Sequence, residues 1–346
     1  MPSVRVAVGM TVVLLAHEGI PERAKTAVNL LRYGDEEVAA VLDRDTAGKR
    51  VGDFLPGVRD APIVAGMDEV PACDELIIGI APIGGGFDDS WRPDVRQALE
   101  RGCDVTAGLH YFLAEDEEFR HLADEHGGEL WDVRKPPADL TVSDGLAAGV
   151  DAEIVLTVGT DCSVGKMTAT RELHEAARDR GVDCGFIPTG QTGIMIEGWG
   201  LPIDRVISDF AAGAVERMIR ERGDEHDYLF VEGQGSIVHP AYSGVTCSIL
   251  HGAMADRLVL CHEAGREAIH GYEEFSLPPL PSYVDRYEDL ARPVHEASVV
   301  AGALNTRSVA TDDAARTAVA DYADAIDAPA TDPIRFDVDD TLEAIL

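Results

Sequence analysis

Short, uninterrupted apolar runs recur along this chain, each closed by a turn signal and most followed by residues at helical spacing. Val12–Leu15 is the first, followed by a turn at Gly19-Ile20-Pro21 and a stretch from Glu22 to Leu31 that sets Ala24, Ala27, Val28 and Leu31 on one helical face. Val38–Leu42, Ile63–Val64, Leu76–Ile80 and Val105–Ala107 continue the strands, with a helix from Arg92 to Arg101 before the last. Runs this short and this apolar fit strands buried on both faces, and alternation with helices makes those strands parallel. A Rossmann-like sheet is expected for the first part of the chain.

Arg134-Lys135-Pro136-Pro137-Ala138-Asp139 cannot continue a helix or a central strand, because each proline removes a backbone donor, so the linker falls between this segment and Asp151. Beyond it the alternation resumes with a strand at Ile154–Val158, a helix over Met167–Arg180 ended by Gly181, and a strand at Cys184–Ile187. A helix over Phe210–Arg222 follows, then strands at Tyr228–Val231, Arg257–Leu260 and Val299–Leu304, with Pro278, Pro279 and Pro281 marking an irregular crossing between the last two. Thr311-Asp312 starts a helix over Ala314–Ile326. The expected fold class is α/β in two domains: a Rossmann-like parallel sheet over 1–140 and a P-loop NTPase-like parallel sheet over 150–346.

Composition adds the surface. Acidic residues number 63 against 29 basic ones, a net charge of −34 spread over the whole length. Such a surface repels itself unless screened, and at molar ionic strength the Debye length falls to about 3 Å. A halophilic protein with an acidic surface is expected, for which nucleic acid and anionic membranes are poor partners. Six cysteines without a CxxC pair read as reduced, buried thiols. Met1 to Gly19 carries Arg5 as its one base, too little for a signal peptide, and no apolar run is long enough to span a bilayer, so a cytoplasmic location is expected.

Chemistry concentrates in Gly159-Thr160-Asp161-Cys162-Ser163-Val164-Gly165-Lys166-Met167-Thr168. A buried strand feeding a glycine-bounded loop and then a helix turns backbone N–H groups onto a phosphate, with Lys166, one of four lysines in the chain, as the point charge. Met167 stands where Ser or Thr normally binds Mg²⁺; Thr168 takes that place only if the helix start is shifted. Glu232, closing an apolar strand, sits where such folds keep a metal ligand or a base, so Thr168 and Glu232 are the candidate Mg²⁺ ligands. His239 reads as a base or as a structural hydrogen-bonding residue, and Asn305 as a purine contact or a turn residue. Pro188-Thr189-Gly190-Gln191-Thr192-Gly193 reads as a polar, mobile loop that orients a small ligand through Thr189, Gln191 and Thr192, or as a connector. Asp209 is an N-cap or faces the phosphate site. In the first domain Gly84 and Gly85, and His110, follow strands at the edge where open sheets bind ligands, or else are a flexible turn and, the more usual case for a lone histidine, a packed or capping residue; Asp43 is a ribose contact or a turn cap.

The phosphate loop, Pro188–Gly193 and Val231-Glu232-Gly233-Gln234-Gly235-Ser236, with Ile80–Gly86 and Gly108-Leu109-His110 in the first domain, together resemble the family of D-glutamate N-acetyltransferases of the DgcN type. The second half is also similar to dethiobiotin synthetase, by which Lys166, Glu232 and Asn305 fall on functional positions and Met167 departs from the metal-binding Thr. The family implies acetyl transfer from acetyl-CoA to the amine of D-glutamate. Small molecules, CoA and an amino acid, are then the partners, and a homo-oligomer is expected. The loop and Asn305 can hold phosphate and adenine without hydrolysis; Glu232 or His239 serves as base, with Lys166 beside them, and Arg205 and Gln191-Thr192 take the glutamate carboxylates. A covalent acetyl on Cys162 is a variant of this mechanism. Two other functions stay open: an ATP- and Mg²⁺-dependent ligase or kinase acting on a small carboxylic acid, and a non-catalytic nucleotide or CoA sensor.

Overall fold

The structure, a computed structural model, describes residues 9–82 and 84–346; Met1 to Val8, with Arg5, and Ile83 of the Ile80–Gly86 motif lie outside the described residues. The chain divides into two compact units, Met1–Pro137 with Gln191–Arg205, and Ala138–Gly190 with Val206–Leu346.

The first unit runs β1 (Thr11–Leu15), α1 (Lys25–Tyr33), β2 (Glu37–Leu42), β3 (Ile63–Val64), β4 (Glu75–Ile78), α2 (Arg92–Glu100), β5 (Asp104–Ala107), α3 (Glu117–His126) and β6 (Leu130–Asp132). Its strands lie in the order β3-β2-β1-β4-β5-β6, all parallel, as a Rossmann-like sheet requires. Alternate residues of β1 serve opposite faces: Val13 and Leu15 pack with Trp91, Leu99 and Phe119, whereas Val12 and Leu14 pack with Leu30, Leu31 and Ile63. Helix α1 starts later than its apolar spacing predicts, because the Gly19 carbonyl first accepts the N–H groups of Arg23 and Ala24 at 2.7 and 2.9 Å. Helix α3 and strand β6 were not legible in the pattern. Of α3 only Phe119 and Ala123 are buried, and Asp116 caps it by accepting from Glu118 and Phe119 N–H groups.

The second unit runs β7 (Glu153–Gly159), α4 (Lys166–Asp179) and β8 (Cys184–Ile187), after which α5 (Gln191–Glu197) belongs to the first unit. It resumes with α6 (Ser208–Arg222), β9 (Tyr228–Val231), α7 (Ser243–Ala253), β10 (Arg257–Glu263), β11 (Ala268–Ile269), β12 (Tyr272–Ser276), α8 (Pro281–Ala291), β13 (Ser298–Asn305), α9 (Asp312–Ile326), β14 (Ala330–Thr331) and α10 (Asp339–Ile345). Its main sheet is parallel, in the order β14-β13-β10-β7-β9-β8. Every residue of β7 after Glu153 is buried, and the strand lies where the order of connection reverses, so its carboxyl end opens at a switch point.

Three expectations change. The polar run after Pro188 is not a loop throughout: from Gln191 it is helical, because Ile194 and Met195 join the first unit's core. Asp209 does not cap α6; Ile207 occupies that position without a side-chain bond, and Asp209 lies exposed in the first turn. The proline-rich crossing is ordered, with Pro281 in the first turn of α8, where its missing N–H costs nothing. Among the described residues no helix is long and apolar enough to cross a membrane.

Candidate functional site

Strand β7 delivers Gly159 to a loop whose curl is set by two left-handed residues, Ser163 at φ 59° and Gly165 at φ 106°. Helix α4 begins at Lys166 with no side chain capping it, so its first N–H groups face the loop as an anion site needs. Other elements hold the loop's carbonyls. Tyr287 donates to Gly159 O at 2.7 Å and Ser236 to Thr160 O at 3.0 Å, and Thr160 Oγ1 lies 2.7 Å from His262 Nδ1. Asp161 is fully buried and accepts from Cys162 N (2.7 Å), Arg266 Nη1 (3.0 Å) and His270 N (2.7 Å), which makes it a pin for the loop.

The Lys166 ammonium donates to Asp161 O at 2.8 Å. A Cβ on Gly159 would stand 2.9 Å from Nζ, so the glycine leaves room for the lysine to fold over its own loop. Burial holds the Lys166 pKa below the ordinary lysine value, opposed by Cys162, Cys261, Asp161 and Glu232. Met167 and Thr168 are half-buried at the helix start, and Asn305 flanks it: its Nδ2 would lie 3.9 Å from a Cβ on Gly165, while its Oδ1 accepts from Arg307 N.

Glu232 leaves β9 buried, and its Oε2 accepts the N–H groups of Thr189 and Gly190 at 3.2 and 3.1 Å. Gly233 has no space for a side chain, since its Cβ would fall 1.7 Å from Thr157 O. The strand ends of β8 and β9 are also tied by Thr189 Oγ1 donating to Glu232 O at 2.7 Å and Gln234 Nε2 donating to Thr189 O at 2.5 Å. His239 is buried, and burial lowers its pKa, with Asp161 opposing. Its Nδ1 accepts from Ala241 N at 3.1 Å, so the neutral ring carries its proton on Nε2, which meets no full hydrogen-bond partner among the described residues, although the His270 backbone is near enough to oppose the lowering. The ring therefore presents a donor, not a lone pair.

Asp161, Cys162 and His239 offer ligand atoms within 4.8 Å of one another. They fit a cation poorly: the Asp161 oxygens are taken by three N–H donors, one a guanidinium. Of the expected Mg²⁺ pair, Thr168 is half-buried in the first turn of α4, and Glu232 Oε2 already accepts two amides.

The remaining candidates lie in the first unit. Gln191 Oε1 accepts from Arg134 Nη2 at 2.9 Å, and Thr192 Oγ1 lies 3.0 Å from Thr26 Oγ1. Gly84 and Gly85 are left-handed, and Gly85 O accepts His110 N at 2.8 Å. Asp43 is buried in a turn, accepting from Glu18 N and Thr46 Oγ1 at 2.8 and 2.7 Å. No described contact joins Asp209 to the phosphate loop. Tyr287, His262 and Arg266, which shape that loop, had no signal in the sequence, because each comes from a distant element.

The DUF1611_C P-loop domain, described as a domain of unknown function, matches residues 141–342, and the DUF1611_N Rossmann-like domain matches residues 44–136. The chain is similar to a D-glutamate N-acetyltransferase of Tritonibacter scottomollicae, 35% identical over 271 residues that make up 78% of this chain and 80% of that protein. A D-glutamate N-acetyltransferase of a Pseudoalteromonas species is 32% identical over 290 residues, 82% of this chain and 86% of that protein. A crystal structure of a DUF1611 family protein from Anabaena variabilis superposes with a TM-score of 0.92 at 39% identity, covering 97% of this chain and 99% of that one.

Proposed function

This chain belongs to the D-glutamate N-acetyltransferase family of DUF1611 architecture, and on that premise we propose that it moves an acetyl group from acetyl-CoA to the amine of D-glutamate in a salt-rich cytoplasm. The observation that carries the proposal is the shared name of two relatives, each alignable over about four-fifths of this chain. The phosphate loop supports a CoA donor: its uncapped helix start and Lys166 suit phosphate, and nothing about it demands hydrolysis. A ligase or kinase needs Mg²⁺, for which the donor set is poor.

In this proposal the acceptor's ammonium loses one proton to Glu232, its nitrogen bonds to the thioester carbonyl carbon, and the C–S bond breaks as the nitrogen's second proton passes to the departing sulfur, releasing CoA thiol. Glu232 takes the proton, as a buried carboxylate whose Oε2 is fixed by two amides. His239 Nε2–H and loop N–H groups stabilise the oxyanion. Lys166 and the start of α4 hold phosphate, and Asn305 contacts the adenine.

The test is release of free thiol from acetyl-CoA in molar KCl with D-glutamate, L-glutamate or no acceptor. D-glutamate-dependent release is expected. Its absence, or ADP formation from ATP with a small carboxylic acid, would overturn the proposal.

A further inference from the structure

Three loops leave the carboxyl ends of β4, β5 and β6, which are neighbours in the first unit's sheet, and one guanidinium ties two of them to the segment that follows α5. Arg134, just past β6, donates from Nη1 to Gly108 O at 2.8 Å and from Nη2 to Gln191 Oε1 at 2.9 Å, and Nη2 also pairs with Asp204 Oδ2 at 3.1 Å. The residue is buried, and its Nε–H has no partner among the described residues. Burial lowers its pKa, with Asp204 the opposing influence. His110 stands 3.9 Å from the same Asp204 oxygen and is seated against Gly85, whose Cβ would fall 2.3 Å from the ring. Arg205 lies exposed with its guanidinium 5.3 Å from the centre of the Phe112 ring, and it forms no ion pair among the described residues.

In a chain with 63 acids and 29 bases, Asp204 is paired with Arg134 here, while the next residue, Arg205, lies over Phe112 with no ion pair among the described residues. Burial, then Arg134, then Arg205 disfavour a charged His110, so the cluster carries one net positive charge with the imidazole neutral. One carboxylate group engaged at the cluster balances that charge. A planar guanidinium with an unclaimed N–H is also the group that binds carboxylates through paired bonds.

We propose that Arg134, Arg205 and His110 form a carboxylate-binding site at the strand ends of the first unit. The glycines after β4 and β5 are then spacers: Gly85 makes room for His110, and Gly108, whose Cβ would lie 2.8 Å from Gln191 Cγ, makes room for the residue that holds Arg134.

The test is calorimetric titration of the full chain with glutarate, a dicarboxylate without an amine, in molar KCl, with inorganic phosphate and acetyl-CoA titrated separately. Saturable glutarate binding is expected. Arg205→Gln should weaken it about tenfold, and Arg134→Lys by a similar factor, while the acetyl-CoA Kd moves less than about threefold. Arg205 is exposed, so its variant decides the matter if the Arg134 variant does not fold. Glutarate that fails to bind, or binds Arg205→Gln as well as the parent, overturns the site. So does an Arg205-dependent affinity for phosphate with glutarate unaffected. Arg205-dependent glutarate binding in a protein that acetylates nothing leaves the site standing and refutes the acetyl-transfer proposal alone.

Discussion

Gly190 donates its N–H to Glu232 Oε2 at 3.1 Å, and a Cβ on Gly190 would stand 3.0 Å from Oε1 of the same carboxylate. The glycine therefore fixes one oxygen and leaves no side chain crowding the other. Glu232→Gln preserves the volume and removes the charge that accepts a proton in the acetyl-transfer proposal. It should lower kcat by about a hundredfold or more, with acetyl-CoA affinity unchanged. Gly190→Ala should crowd Oε1 and cost roughly tenfold in kcat, about 1.4 kcal/mol. Steady-state rates and a binding isotherm check both, and a Glu232→Gln enzyme with parental kcat would remove the residue from the reaction.

Metal dependence separates acetyl transfer from the ATP-driven alternatives. Met167 offers no hard ligand beside Lys166, and Asp161 is committed to Arg266 and two backbone N–H groups. Exhaustive EDTA treatment should leave the acetyl-transfer rate within about twofold, and Met167→Thr should not make it Mg²⁺-dependent. Loss of transfer on chelation, restored by Mg²⁺, would sink this expectation.

The sequence exposed what depends on local pattern. The strand that feeds the loop, the loop's glycines, Lys166 and Glu232 were all legible, because apolar runs, turn residues and a strand-end acid signal themselves within a few positions. What remained hidden depends on long-range packing. Tyr287 reaches Gly159 from α8, 128 residues later, and no periodicity marks it. Arg134 stands beside Pro136-Pro137, so its segment reads as a breaker, whereas the fold uses it to hold Gly108 and Gln191. The run after Gly190 reads as loop by its Thr, Gln and Gly content, and only burial of Ile194 and Met195 shows why it is helical. Asp161 would pass for a metal ligand in sequence; three donors from three places make it a pin.

Acid should destabilise the second unit through two neutral imidazoles. Burial pushes the His174 pKa down to about 4, with Arg171 adding to it, and burial, then Arg266, do the same to His262, also to about 4. The unfolded chain takes up these protons near pH 6.5 and the folded one near 4, so stability is full above the unfolded value and falls as pH drops through this window. At pH 5 the loss is about 2 kcal/mol per ring. Urea denaturation at pH 7 and pH 5 in constant high salt measures it. His174→Phe, placed among Phe186 and Phe230, should shrink the difference; a pH-independent midpoint in the parent would refute both assignments.

Cys162 lies in the phosphate loop within 4.8 Å of ligand atoms of Asp161 and His239, an arrangement that invites a covalent acetyl-cysteine. The tautomer argues against it. A thiol nucleophile needs a lone pair to take its proton, and the lone pair of His239 is Nδ1, which already accepts from Ala241 N at 3.1 Å. Nε2 carries the hydrogen and suits an oxyanion or a carbonyl oxygen. Direct transfer to the amine is therefore expected. Cys162→Ala should keep kcat within about threefold, and mass spectrometry of enzyme quenched after mixing with acetyl-CoA alone should find no added acetyl on the peptide containing Cys162. His239→Ala should lower kcat by about a hundredfold, and His239→Gln, which restores an N–H donor, should recover part of it. The pH profile distinguishes a donor from a base: the His239→Gln variant should keep the parental profile in shape at a reduced level. An acetylated Cys162 that forms and decays at the rate of turnover would establish the covalent route instead.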